Sequence, residues 1–334
     1  MSNCERDYSL DTNRILCQNC LEVKAMDIRE VSEKFATDAQ CLAYIEQMRW
    51  PDGVVRCPQC GTKAPKRVER STKKKGRNKR DWFYLCSEKT CRNQFSPTSG
   101  TLFHDTHLPL IVWFHAVALM LNAKKGLSAA QLRRDLKIGG YKTAWYLNHR
   151  IREAMREGSL PQMGGIVEID ETYLGGRQRG HEGKLKNKDL VMGLRQRKGP
   201  VRFIKVDDRS AETWRKIIAQ NLKATEVEYV MTDESSSAQA VLKRTGKHKM
   251  VRHSIGEYVR GIVHTNSVES AFSLLKRGII GSFHQISIKH LQKYLNEFSY
   301  RFNRRNDPQA FIETVRRLAG FPPLTFDALT SEKA

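Results

Sequence analysis

Three acids of this chain, Asp170, Asp233 and Glu269, stand in or at the ends of stretches that are otherwise apolar. Asp170 lies inside Gly165-Ile166-Val167-Glu168-Ile169-Asp170-Glu171-Thr172-Tyr173, whose alternation and β-branched content predict a strand. Asp233 closes a second predicted strand, 227–232, ahead of a serine-rich helix start. Glu269 belongs to a helical stretch in which Val268, Ala271, Phe272, Leu275 and Ile279 form one apolar stripe. Asn266, Glu269, Ser273 and Lys276 recur on a different face of that helix. The intervals are specific: 35 residues lie between Asp233 and Glu269, and Lys276 follows Glu269 by seven. Two strand-borne aspartates and a helix-borne glutamate suit two-metal phosphoryl transfer, in which converging carboxylates would repel unless divalent cations roughly 4 Å apart neutralised them. Mg²⁺ is the natural ion, because it takes oxygen ligands and keeps positions open for phosphate and water. A plainer reading makes Asn266 the N-cap and Glu269 its capping-box partner. That reading explains a helix start but not the two acids upstream.

The elements that must position these acids can be read in order. Strands at 166–174, about 189–195 and 201–207 predict an antiparallel meander. A helix over 211–222 follows, with Trp214, Ile217, Ile218 and Leu222 as its buried face, then strand 227–232 and a helix at about 235–244. This β-β-β-α-β-α order suits a mixed sheet of three antiparallel strands and then a parallel one. Alternation turns Glu171 to the opposite face, so it stays outside the site, as do Asp207 and Asp208. His253 and His264, in the segment before Glu269, are candidates for phosphate contact or water orientation, against the plainer role of loop hydrogen bonding. Helices at about 288–305 and 308–319 close the chain, with Leu291, Tyr294, Leu295, Phe298 and Phe302 as a core face and Arg301, Arg304 and Arg305 as basic surface. The tail beyond about residue 328 is expected to lack fixed structure.

A second chemistry is written in the cysteines. Cys57-Pro58-Gln59-Cys60 and Cys86-Ser87-Glu88-Lys89-Thr90-Cys91 are separated by 25 residues, with strand-like Trp82-Phe83-Tyr84-Leu85 before the second pair. This is a zinc-ribbon spacing, and four thiolates make a closed tetrahedral, structural site. Cys17 and Cys20, with Cys4, hold at most part of a further site, and Cys41 reads as a core residue in a helix over 31–48.

The net charge of +22 implies a polyanionic partner, nucleic acid first. Lys73, Lys74, Lys75, Arg77, Lys79 and Arg80 form a basic run between the cysteine pairs, suited to phosphate contact as well as to a solvated loop. A helix over 107–123, a second one capped by Ser128, a glycine turn at 138–141 and a helix from Thr143 make a helix-turn-helix pattern. Arg133, Arg134, Lys142, Asn148, Arg150 and Arg152 are its candidates for facing DNA, against an ordinary helical hairpin with solvated arginines. Residues 158–165 read as a linker. The basic loop 175–188, with Arg177, Lys184 and Lys186, lies beside the first aspartate, and Arg277 follows Lys276. No run of about 18 apolar residues is present. The first residues lack the basic-then-apolar pattern of a signal peptide, so a cytoplasmic protein with reduced cysteines is expected.

The words "IDETYLGG", "MTDES", "HTNSVESAFSLLKRGIIGSFH" and "YLNEFSYRFNRR", in this order, resemble the ISXO-like group of bacterial insertion-sequence transposases, over roughly residues 45–305. The resemblance implies the fold class: an α/β, ribonuclease H-like mixed-sheet core of the DDE type, whose first and fourth strands lie side by side and would bring Asp170 and Asp233 together, preceded by a zinc ribbon and a helix-turn-helix domain. Carried over by position, the triad is Asp170, Asp233 and Glu269, with Lys276 as the downstream basic residue. Members of the group vary at the third acid, and Asn266 is the alternative or helper ligand. The implied division is 1–48 N-terminal extension, 49–100 ribbon, 101–157 helical DNA-binding domain, 158–165 linker, 166–285 catalytic domain and 286–334 C-terminal helices. The implied activity is Mg²⁺- or Mn²⁺-dependent cleavage at terminal inverted repeats and joining of 3′-hydroxyl ends to target DNA by a homodimer or larger assembly in the bacterial nucleoid. A non-catalytic DNA-binding protein and a nuclease without strand transfer are the alternatives.

Overall fold

The computed structural model describes residues 26–69, 82–156, 161–175 and 189–331. The chain opens with α1 (Ile28–Lys34) and α2 (Asp38–Arg49), where one helix over 31–48 is expected from periodicity. The break at Phe35–Thr37 has a local cause. Asp27 with Glu30, and Thr37 with Gln40, each form a reciprocal capping box, so a second helix start is written inside the apolar pattern.

The ribbon follows as three antiparallel strands, β1 (Lys66–Glu69), β2 (Trp82–Leu85) and β3 (Gln94–Phe95), in that order across the sheet. Among the described residues, Trp50, Cys57, Tyr84, Cys86 and Phe95 form its buried core. It leans on α2: the Tyr84 hydroxyl donates to Glu46 at 2.6 Å, and Arg49 donates to the Pro97 carbonyl at 2.9 Å.

Helices α3 (Leu110–Asn122), α4 (Ala129–Asp135) and α5 (Tyr141–Ala154) come next, with Ser128 capping α4 through the Gln131 N–H as its sequence predicts. Their core is completed from both ends of the chain. Phe35 before α2, Phe114 of α3 and Phe311 of α10 (Ala310–Gly320) meet ring to ring, and the Leu102 N–H donates to the Leu318 carbonyl. Each such side chain contributes about 1.5–3 kcal/mol by burial, so the C-terminal helix is part of this helical body and not an appendage.

The second body is a five-stranded sheet. Its strands are β4 (Met163–Leu174), β5 (Asp189–Gln196), β6 (Val201–Val206), β7 (Leu222–Thr232) and β8 (His248–Met250), in the order β6-β5-β4-β7-β8. β4, β5 and β6 are antiparallel, and β7 runs parallel to both β4 and β8. The first and fourth strands are therefore neighbours, as expected. β8 is absent from the expected order, because His-Lys-Met carries no apolar alternation for a sequence reading to find.

Helices α6 (Ala211–Asn221) and α7 (Ser236–Leu242) cover one face through Trp214, Ile217, Ala238 and Leu242. Helices α8 (Asn266–Gly278) and α9 (Leu291–Asn303) cover the other through Val268, Phe272, Leu275, Leu295 and Phe298. α8 lies unusually close to the sheet at Gly193, where a Cβ would meet the Phe272 ring at 2.6 Å. Gly193 is the cross-strand partner of Asp170, so the same close approach brings α8 over the first aspartate. The chain ends in a further short helix, α11 (Phe326–Ser331), with Leu329 fully buried, where an unstructured tail is expected beyond about 328.

The two bodies are joined at α5 and α9 by buried charge. Glu297 lies between Arg152, at 2.7 Å, and Arg301, at 3.1 Å, all three essentially removed from water. Arg301 is thus not the basic surface residue its position on α9 implies. One carboxylate answering two guanidiniums explains how such charges are tolerated inside.

Candidate active site and zinc centre

Asp170 projects from the middle of β4, and the chain reaches Asp233 one residue past the end of the adjacent β7. In register, Glu168 of β4 pairs with Met231 of β7, so the two aspartates follow at matching heights on parallel neighbours. The Asp170 carboxylate accepts the Glu171 N–H at 2.7 Å, and that of Asp233 accepts the Ser235 N–H at 3.1 Å. Glu269 sits in the first turn of α8 and accepts the Thr265 hydroxyl at 2.7 Å. Burial above all pushes Asp170 up to about 7, and the charges of Asp233, Glu269 and Glu171 push the same way against its backbone hydrogen bond. Glu171 is paired with Arg209, whereas no ion pair to Asp170, Asp233 or Glu269 is formed among the described residues. Partly buried carboxylates near one another, with no cation paired to them among the described residues, are the donor set a hard divalent cation fits.

The carboxylates are less tightly gathered than the thiols. Among the described residues, the cysteine cluster is the only group of three or more possible ligand atoms lying within 4.8 Å of one another. Asn266 is exposed and is the first residue of α8; Thr265 holds the capping position without a side-chain cap bond, so the capping-box reading does not describe this helix. Lys276 and Arg277 are exposed at its other end. Glu171 points away, as alternation requires: it accepts from the Trp214 indole at 2.7 Å and pairs with Arg209.

The residue that sequence reading missed is Glu168. It precedes Asp170 by two, so it shares that face of β4, and it is completely buried. Its carboxylate accepts the N–H groups of Ser267 and Val268 at 2.8 and 3.0 Å and the Arg197 guanidinium at 2.7 Å. It thereby satisfies two open donors at the start of α8, which packs on that same face, and meets the positive end of the helix dipole. His264 lies with its Nδ1 3.4 Å from the same carboxylate, and its carbonyl accepts from Arg197 at 3.1 Å, so it belongs to this clamp. His253 packs on Tyr258 instead. The signal for Glu168 was the period of two: an acid inside an apolar strand, on the side of the catalytic candidate.

The helix-turn-helix candidates divide sharply. Arg133, Arg134 and Lys142 are exposed, although Lys142 lies 4.0 Å over the Phe326 ring of α11. Asn148, Arg150 and Arg152 are buried and face inward, contrary to expectation. Asn148 donates to the Leu127 carbonyl, Arg150 to that of His104 while packing on Trp113 and Tyr146, and Arg152 pairs with Glu297. The reason is geometric: the polar faces of α5 that carry them are covered by the segments at His104 and Leu127, by α3 and by α9. Lys73, Lys74, Lys75, Arg77, Lys79 and Arg80, the loop residues Arg177, Lys184 and Lys186, and Cys4, Cys17 and Cys20 lie outside the described residues.

In the ribbon, Sγ of Cys57 is 3.8 Å from that of Cys91, and Sγ of Cys60 is 3.4 Å from that of Cys86. A tetrahedral zinc with bonds near 2.3 Å needs sulfurs about 3.8 Å apart, so the four thiols fit the ion. Gly61 and Arg92, each just after a cysteine, have positive φ (76° and 45°), which turns the backbone around the site. Hydrogen bonds with Thr62 draw the Cys60 thiol down to about 6, and burial pushes Cys86 up to about 12.

A four-thiol cluster in a ribbon thus precedes a mixed-sheet domain in which Asp170 feels the charges of Asp233 and Glu269. Residues 162–303 match the ISXO2-like transposase domain, and residues 36–94 match the transposase zinc-ribbon domain. The chain thus carries an ISXO2-like transposase domain behind a transposase zinc ribbon, with the site acids, Glu168 and Arg197 all inside the first match. The ribbon match begins before α2, in keeping with the contacts that fasten α2 to the ribbon. An uncharacterised protein of the transposable element ISH50 of Halobacterium salinarum is 28% identical over 287 residues, covering 80% of this chain and 91% of that protein. No helix among the described residues is long and apolar enough to cross a membrane.

Proposed function

We propose that this chain is the DNA transposase of an insertion sequence, a DDE enzyme on a ribonuclease H-like core. The observation that carries the reading is the facing of Asp170, Asp233 and Glu269 across adjacent parallel strands and α8, inside the span that matches the ISXO2-like transposase domain. The sheet order β6-β5-β4-β7-β8, with three antiparallel strands followed by parallel ones, supports the ribonuclease H-like assignment. Asp170, Asp233 and Glu269 would hold Mg²⁺ or Mn²⁺, with Asn266 as the alternative or auxiliary oxygen ligand one turn before Glu269. Bound there, such ions supply Lewis-acid polarisation of the scissile phosphate and activation of the attacking oxygen.

The chain's own residues do the rest. The three carboxylates would set the position of the ions, and so of the reacting phosphate, relative to the sheet, and Glu168 with Arg197 fixes α8 that carries Glu269. Lys276 and Arg277, two turns along α8, hold a neighbouring phosphate of the terminal inverted repeat. Water attacks first and frees a 3′-hydroxyl at the element end; that hydroxyl then attacks a target phosphodiester, and a target 3′-oxygen leaves. Arg133, Arg134 and Lys142 are the remaining DNA-facing candidates of the helical domain, joined by the basic segments around 73–80 and 177–186. Two element ends call for a homodimer or larger assembly on DNA, acting in the cytoplasm on the nucleoid.

The test is a strand-transfer assay with DNA carrying the repeats that flank the gene and a supercoiled target, with Mg²⁺ or EDTA, for wild type and Asp233→Ala. Metal-dependent joined products, absent in the variant, are expected. Cleavage without joining would establish a nuclease instead, and binding without either reaction a non-catalytic DNA-binding protein.

A further inference from the structure

Between β8 and α8 the chain runs through residues 251–265 as an irregular but well-anchored loop. Its base is buried: Val251 and Val263 pack on Met231 of β7. The carboxylate of Glu234, next to Asp233, accepts both the N–H and the hydroxyl of Ser254, at 2.8 and 2.7 Å. Arg260 donates to the Met250 carbonyl at 3.0 Å and bridges to Val263 through the backbone. Gly256 and Gly261, both with positive φ, make its turns.

The crown of this loop is apolar and bare. Ile255 is 71% exposed, Tyr258 61%, Val259 53% and Ile262 57%, in a stretch of eight residues. Folding alone gives no reason to leave these side chains in water, and an exposed cluster of this kind marks an interaction surface. Its rim carries Lys249, Arg252 and Arg260, all exposed, and one acid, Glu257, which pairs with Arg260 at 3.5 Å, so the rim is net cationic. One end of the loop leads from the strand beside Asp233 and the other into the helix of Glu269.

We propose that residues 255–262 form a wedge that receives unstacked nucleobases of the DNA held at the carboxylates. The inference rests on the transposase reading and deepens it. A basic rim selects a polyanion, and a second copy of a chain carrying +22 is disfavoured by the same charge. Duplex DNA presents phosphates outward and keeps its apolar base faces stacked inside. An apolar crown within a cationic rim therefore finds its complement only where bases have left the stack, as wedge side chains do in other DNA-bending proteins. The position of the loop beside the acids puts that opening next to the reacting phosphate.

The test uses the full zinc-loaded chain without divalent cations, and fluorescence anisotropy with two probes: a blunt duplex, and the same duplex with one end frayed by mismatches. Wild type is expected to prefer the frayed DNA by about tenfold, the scale of one stacked base. The double substitution Ile255→Ser with Tyr258→Ser, both at exposed positions, is expected to abolish that preference and leave blunt-duplex affinity unchanged. Equal binding of the two probes by wild type, or a preference that survives in the variant, would overturn the wedge while leaving the transposase reading intact. A change of sedimentation coefficient in the variant without DNA would overturn it in favour of a self-association surface. Failure to bind either DNA would overturn the transposase reading and the wedge with it.

Discussion

Replacing Glu168 separates the geometry of the site from its chemistry, because this carboxylate supports Glu269 only through α8. In Glu168→Ala, two backbone donors of α8 lose their acceptor and Arg197 loses its partner, all at a side chain with no exposure. Breaking a buried pair costs roughly 3–5 kcal/mol. The low end applies, since the Arg197 side chain keeps 18% exposure and its bond to the His264 carbonyl. About 3 kcal/mol corresponds to a melting temperature lower by roughly 6–12 °C. Glu168→Gln is nearly isosteric and keeps one acceptor oxygen, so it costs less, about 1–3 kcal/mol, and stays folded at working temperature. Its α8 is nevertheless held by a neutral amide that turns a donor toward N–H groups. A displacement near 1 Å at a catalytic group can cost about a hundredfold in rate. The assays are thermal melting, Mn²⁺ binding followed by electron paramagnetic resonance, and DNA cleavage against metal concentration. For Glu168→Gln we expect a melting temperature close to wild type, with Mn²⁺ affinity lowered by about tenfold and turnover lowered further, while DNA affinity is kept. A Gln variant that melts lower but binds Mn²⁺ and cleaves like wild type would refute the positioning argument and leave Glu168 as a purely structural residue.

Other consequences follow from the same contacts. Asp170→Asn should flatten the pH dependence of stability of the metal-free protein. A carboxyl at about 7 when folded, against 3.8 ordinarily, contributes stability that is complete below pH 4 and lost as pH rises to 7; some three pKa units make this at most about 4 kcal/mol. Urea midpoints at pH 5 and pH 8 measure it, and an unchanged slope in the variant would show that Asp170 is not the group responsible. Glu297→Ala strands Arg152 and Arg301 between the two bodies and should destabilise by roughly 3–5 kcal/mol, read as a lower melting temperature; a near-wild-type melt would mean that water reaches the site. Chelating the ribbon metal, or Cys57→Ser, should unfold β1–β3, seen in the fluorescence of Trp50 and Trp82, and leave the five-stranded sheet folded. Because the thiols must shed protons to bind, zinc should be released as pH falls. Retention of bound zinc in Cys57→Ser at full affinity would contradict the four-thiol site.

Local pattern was enough for most of the elements. The alternation around Asp170, the stripe of α8 and the Ser128 cap each depend on neighbours within a turn or two, and each is found where the sequence puts it. The cysteine spacing also sufficed for the ribbon, because a small core of few apolar residues leaves paired thiols little else to do. Local rules also explain the split of α1 from α2, through capping residues that were legible but outweighed by periodicity.

What only the tertiary structure decided is what lies opposite each side chain. Arg150, Arg152 and Arg301 look like surface charge in sequence and are buried, because long-range contacts (the His104 and Ala123 carbonyls, the Trp113 ring and Glu297 against Arg152) meet them in the packed interior. Glu168 looks like a polar interruption of a strand and is the clamp on α8, since the N–H groups it accepts come from residues about a hundred positions later. β8 exists because β7 offers it an edge, not because of its own three residues. Sequence fixes the propensity of a segment and the chemistry it carries; partners across long chain separations fix whether a charge faces water, another charge or an open helix end.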